Sequence, residues 1–113
     1  AVLLAAARNA VRQGNLDLAI QRFTRYLQLT PDDIDVREEL AGVYFQADRP
    51  NDAAKVLEDL VRRNPQKAPR YLMTLSDVDT RNRDTARAVA RLLEALALVA
   101  DDKARANRPL RLE

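Results

Sequence analysis

Apolar side chains recur along this chain in helical steps, and the polar breaks between them fall at a regular interval. Residues 15–31 (NLDLAIQRFTRYLQLTP) place Ala19, Phe23 and Leu27 four residues apart, on one face of a 3.6-residue helix. Residues 49–65 (RPNDAAKVLEDLVRRNP) place Ala53, Leu57 and Val61 in the same way. A shift of 34 lays one segment over the other, with Gly14 on Asp48, Ala19 on Ala53 and Pro31 on Pro65. Both segments read as the second helix of a repeated helical hairpin. The alanine lets two helices approach closely, and the large residues beside it fill the groove.

The partner helices lie upstream. Residues 34–47 carry Leu40, Ala41 and Tyr44 as an apolar seam, with Asp32 and Asp33 before them to cap the N-terminus. Residues 69–80 repeat the seam with Tyr71, Leu75 and Val78, and residues 2–13 with Leu3, Ala6, Ala7 and Ala10. Gly14, Asp48 and Asn82 stand 34 apart and are residue types that tolerate the left-handed backbone at a helix end. Pro31 and Pro65 stop the second helices and push Thr30 and Asn64 out of helical geometry, whereas Pro50 fits the first turn of its helix.

A 34-residue helix-turn-helix period with small residues at the crossings resembles the tetratricopeptide repeat. The second repeat supplies Leu40-Ala41, Tyr44, Asp48, Ala53, Leu57 and Pro65; the first supplies Ala7, Gly14, Ala19, Phe23 and Pro31. The third fits with Tyr71, Leu75, Val78, Asn82, Ala88, Leu92, Ala95 and Leu96 if one residue is inserted between Asn82 and Ala88, and Ala100 stands where its proline belongs. The resemblance implies an all-α fold, a right-handed α-solenoid of about three hairpins. The expected organisation is repeat 1 over residues 1–33, repeat 2 over 34–67, a degenerate repeat 3 over 68–102, and a tail or truncated next repeat over 103–113.

Composition narrows the function. The 113 residues include no cysteine and no histidine, which removes disulfides, thiolate ligands, the commonest general base and the commonest metal ligand. No glycine-rich phosphate loop and no isolated carboxylate pair occurs, so no catalytic, cofactor or metal site is expected and the chain is read as a non-enzyme. Nineteen basic residues nearly cancel 17 acidic ones, so the net charge of +2 marks no basic face for nucleic acid. No apolar run has the length of a bilayer span, and the chain reads as a piece of a longer protein.

A solenoid binds other proteins on the concave wall built from its first helices. By the resemblance, that wall carries Leu4, Arg8, Val11 and Arg12, then Asp35, Glu38, Gly42, Phe45 and Gln46, then Leu72, Ser76, Asp79 and Thr80. Arg8 and Arg12 stand one turn apart, placed either to hold a partner carboxylate or as a solvated helix face. Phe45 points about 100° around the helix from Tyr44 and reads either as a partner anchor or as packing against a neighbouring first helix. Asp35, Glu38 and Asp79 on the wall oppose phosphate, against RNA binding. Arg62-Arg63 complement a helix C-terminus, and Asp101-Asp102 read as caps. Carboxylate-clamp adaptors of chaperone tails need cations where this chain has Leu4, Arg8, Glu39, Pro69 and Met73; only Arg8 suits, and Glu39 is expected to repel.

Sixteen arginines against three lysines, no cysteine and divergent repeats resemble the periplasmic tetratricopeptide regions of bacterial exopolysaccharide (Pel-type) outer-membrane export proteins. That resemblance implies a periplasmic scaffold within a longer outer-membrane protein, recruiting a polysaccharide deacetylase or hydrolase. A cytoplasmic assembly or regulatory adaptor, and a regulatory repeat region of a larger enzyme, are the alternatives. Apolar ends at Leu3 and around Leu96 to Val99 also offer self-association.

Overall fold

The computed structural model describes residues 2–107. Six helices follow one another: α1 Val2–Arg12, α2 Leu16–Leu29, α3 Ile34–Gln46, α4 Pro50–Arg63, α5 Ala68–Arg81 and α6 Thr85–Ala106, with one 3₁₀ turn at Pro65–Lys67. Each helix packs on its successor, giving three antiparallel hairpins stacked through α2 on α3 and α4 on α5. The body measures 55 × 41 × 20 Å, and the short dimension is two helix diameters. This is the all-α solenoid expected from the repeat.

The same local chemistry builds each hairpin. Gly14, Asp48 and Arg83 take positive φ values of 75°, 57° and 61°. At each, the next residue's N–H bonds back to a carbonyl five residues earlier: Asn15 to Ala10, Arg49 to Tyr44, Asp84 to Asp79. These bonds close the C-terminus of the first helix and turn the chain. In the third hairpin the left-handed residue is Arg83, not the expected Asn82, whose φ is −81°. The third repeat's extra residue therefore enters before the turn. Asn82 instead donates its side-chain amide to Asn51 Oδ1 at 2.8 Å, tying two repeats together.

Of the second helices, α2 and α6 start on side-chain caps, α4 starts on Pro50, and α2 and α4 stop before prolines. Asn15 and Asp84 side chains accept from Leu18 and Arg87 N–H, as Asp33 does from Val36 at the start of α3. Asp32 is not a cap; it pairs with Arg63 at 3.3 Å. Thr30 and Asn64, each before a proline, share nearly the same geometry (φ −136°, ψ 70° and φ −131°, ψ 70°). Without a proline near Ala100, α6 runs on through residue 102 to Ala106 and reaches 22 residues, against 14 each for α2 and α4. Asp101 and Asp102 accordingly lie inside this helix rather than capping one, with Asp101 paired to Arg105 at 2.7 Å. The remainder of the tail, residues 108–113, lies outside the described residues.

Two apolar clusters form the core. Ala7, Ala10, Ala19, Ile20, Phe23, Leu27, Val36, Leu40 and Val43 join α1, α2 and α3. Ala41, Leu57, Leu60, Tyr71, Leu72, Leu75 and Ala95 join the later helices. Arginines fasten the seams between them. Arg37 bonds both the Pro31 carbonyl at 2.7 Å and Asp59 at 3.0 Å, and Arg63 reaches Asp59, Asp32 and the Pro31 carbonyl. Arg63 thus holds the α2–α3 connection as well as lying at a helix C-terminus.

Candidate functional site

The first helices α1 and α3 stand side by side above α2, and they do not meet along their whole length. Gly42 of α3 lies at the gap. An added Cβ at this glycine would meet nothing within 4 Å, so the groove beside it is open. Arg8, Val11 and Arg12 of α1, Phe23 of α2, and Glu39, Gly42, Val43 and Gln46 of α3 line it, around a volume of about 560 Å³. The floor is apolar: Phe23 and Val43 belong to the first core cluster and Val11 packs against it. The rim is polar.

Arg8 and Glu39 close one side of the rim. Arg8 Nε donates to Glu39 Oε2 at 3.0 Å and Nη2 to Oε1 at 2.6 Å, a two-bond fork that joins repeats 1 and 2. Glu39 raises the Arg8 pKa through this hydrogen bond. Glu39 does not repel an arginine-bound carboxylate from a distance; it is itself the carboxylate that Arg8 holds. The two side chains remain about half and one-third exposed, so the pair is open to exchange with a ligand. Arg12 and Gln46 complete the rim as exposed side chains. Arg8 and Arg12 do not therefore act as an equivalent pair, since one guanidinium is engaged by the fold and the other faces the groove.

The remaining wall positions separate by role. Asp35 is exposed and lies outside the groove lining. Glu38 accepts a 2.9 Å hydrogen bond from the Tyr71 hydroxyl and lies 3.7 Å from Lys67 Nζ, tying α3 to the start of the third repeat. Burial pushes the Tyr71 phenol up, with Asn64 opposing and Glu38 adding to the shift. Phe45 is half-buried and packs against the second core cluster, so its ring stabilises the α3–α5 region. Leu4 is likewise packed against the first cluster.

In the third repeat the expected wall residues turn inward. Leu72, Ser76 and Asp79 are buried. The Ser76 hydroxyl donates to the Ala88 carbonyl at 2.9 Å, and Asp79 receives Arg91 Nε at 3.1 Å while Arg91 Nη2 reaches Glu58 at 3.2 Å. Asp79 is thus removed from the wall: α6 lies over this face of α5, and its Arg91 neutralises the carboxylate it covers. Thr80 stays exposed but donates to the Ser76 carbonyl. The expected wall positions that remain exposed lie on α1 and α3, with Thr80 of α5 as the exception. Phe23, Val43 and Glu39 are the groove residues that the wall positions alone do not supply; the 31-residue separation of Arg8 and Glu39, just short of one period, is the sequence signal for their meeting.

A family profile described as tetratricopeptide repeat matches residues 10–78, more than half of the chain. The chain belongs to that family. Two solved structures of MamA are similar in fold, one with a TM-score of 0.71 at 21% identity and one with 0.73 at 17%. The matches cover 86% and 91% of this chain but only 52% and 59% of those chains, so this chain spans a little over half their length. None of the curated proteins compared matches it.

Proposed function

We propose that this chain is a non-catalytic protein-binding scaffold whose site is the groove between α1 and α3. One observation carries the reading: the groove opens over half-buried Val11, backed by the core residues Phe23 and Val43, beside exposed Arg12 and Gln46. An apolar side chain of a partner fits the floor, and an acidic group beside it meets Arg12. Arg8 becomes a second cation only when a partner carboxylate displaces Glu39.

The partner we propose is a periplasmic polysaccharide deacetylase or hydrolase, held beside an exopolysaccharide export pore by a longer outer-membrane protein that contains these repeats. Support comes from the arginine-rich, cysteine-free composition and from the resemblance to Pel-type export proteins. Among the described residues no helix is long and apolar enough to cross a membrane, so this segment does not supply an α-helical anchor. The test is capture from a periplasmic extract by the chain and by its Arg12→Glu/Gly42→Leu variant. A polysaccharide-modifying enzyme retained by the first and lost by the second supports both partner and site. Equal retention by both removes the groove, and an unrelated class of retained protein removes the secretion role.

A further inference from the structure

The long helix α6 has two apolar faces. Ala88 and Ala95 are buried under it against α5. A second stripe of Val89, Leu92, Leu93, Leu96 and Val99 runs along a neighbouring face, and each of these side chains is about half exposed or more. Helical spacing gathers them within an arc of about 120° that contains no charged residue between Ala86 and Ala100. The repeats show that this face is built to be covered. Counting from the alanine at each crossing, Leu92 corresponds to Phe23 and Leu57, which are 1% and 6% exposed under α3 and α5; Leu92 is 47% exposed. Leu96 corresponds likewise to Leu27, exposed at 65% against 7%.

We propose that the occupant is a second copy of this chain, with the two α6 helices packed antiparallel about a two-fold axis. Three features select a copy in this arrangement. First, five half-exposed aliphatic side chains present roughly 500 Å² of apolar surface on each copy, so mutual cover reaches roughly 1,000 Å², the lower limit for a specific interface. Second, an antiparallel pairing centred on residue 94 places Val89 opposite Val99 and Leu92 opposite Leu96, so four of the five large residues meet another and Leu93 flanks the seam. Third, Lys103 lies on the C-terminal extension of the same stripe. In the antiparallel register it falls beside Thr85 and the Asp84 carboxylate of the other copy, whereas a parallel pairing sets lysine against lysine. Head-to-tail stacking onto α1 is the poorer fit, because its exposed outer surface offers Val2 among Ala5 and Asn9.

Sedimentation equilibrium of the chain tests this directly. The expected result is a monomer–dimer equilibrium that Leu92→Gln/Leu96→Gln weakens at least about tenfold with an unchanged helical circular dichroism. Thr85 is exposed at the first position of α6, so Thr85→Lys should weaken the dimer by repelling Lys103, and Thr85→Asp should tighten it. Because the chain has no cysteine, Val89→Cys mixed with Val99→Cys should form a disulfide heterodimer under mild oxidation, with little Val89→Cys homodimer. A strict monomer at millimolar concentration gives this face to a helix of another origin and overturns the proposal. So do open-ended oligomers, which indicate head-to-tail stacking, and a dimer that cross-links Val89→Cys to itself.

Discussion

Arg8 and Glu39, 31 residues apart in sequence, meet through two hydrogen bonds of 3.0 and 2.6 Å across the mouth of the groove. The pair joins the first helices of successive repeats while leaving both side chains within reach of solvent. While Glu39 holds Arg8, Arg12 is the guanidinium left facing the groove. Glu39→Gln should release Arg8 and tighten binding of an acidic partner, and Arg8→Glu should weaken it. Thermal melting of both variants should change little, since exposed pairs of this kind stabilise weakly. Titration calorimetry with the partner, beside the melts, checks both.

The hairpin turns make a backbone prediction. Arg83 occupies left-handed geometry at φ 61°, which costs a residue with a Cβ. Arg83→Gly should stabilise the chain by about 0.5–1 kcal/mol, and Gly14→Ala, at φ 75° with open space around it, should destabilise it by about 1 kcal/mol through the backbone alone. Urea unfolding of the two variants measures both signs.

Phe45 separates packing from binding. Its ring packs against the second core cluster, so Phe45→Ala should cost about 2 kcal/mol, less than the roughly 3–5 kcal/mol of a fully buried phenylalanine such as Phe23. Partner affinity measured well below the melting temperature should be nearly unchanged. A variant that loses affinity at full stability instead makes Phe45 an anchor.

The phenols of Tyr71 and Tyr26 predict a loss of stability at alkaline pH. Burial raises the Tyr71 phenol above its ordinary value near 10, and the hydrogen bond to Asp33 raises that of Tyr26. Each folded pKa exceeds the unfolded one, so the folded state holds the phenolic proton more tightly. The resulting stabilisation is complete below pH 10 and is lost as pH rises through the folded pKa values. Stability measured by urea unfolding should fall above pH 10, and Tyr71→Phe should flatten part of that fall. An unchanged slope in the variant would assign the loss to other groups.

Much of this architecture is readable in the chain because one local device is used repeatedly. Pro31 and Pro65 end two helices, Gly14 and Asp48 turn two hairpins, and Ala19 and Ala53 mark two crossings, all in one register. The third repeat is less legible for a physical reason. Its extra residue precedes the turn, where Asn82 and Arg83 are both open to left-handed geometry in sequence and only backbone hydrogen bonding selects Arg83. The position of α6 then decides that Ser76 and Asp79 are buried, a consequence of helix packing that positional transfer from repeats 1 and 2 does not contain. At the groove, residue type identifies Arg8 as a cation and Glu39 as an anion. Their mutual engagement comes from the stagger of α1 against α3.

Gly42→Leu tests the binding groove most directly. The glycine sits inside a helix with open space at its Cβ, so a leucine restores a better helix former and extends over Val11, Phe23 and Val43. The expected result is a melting temperature equal to or above that of the parent chain and a loss of at least about tenfold in partner affinity by calorimetry. A stable Gly42→Leu chain that binds the partner as tightly as the parent would contradict it.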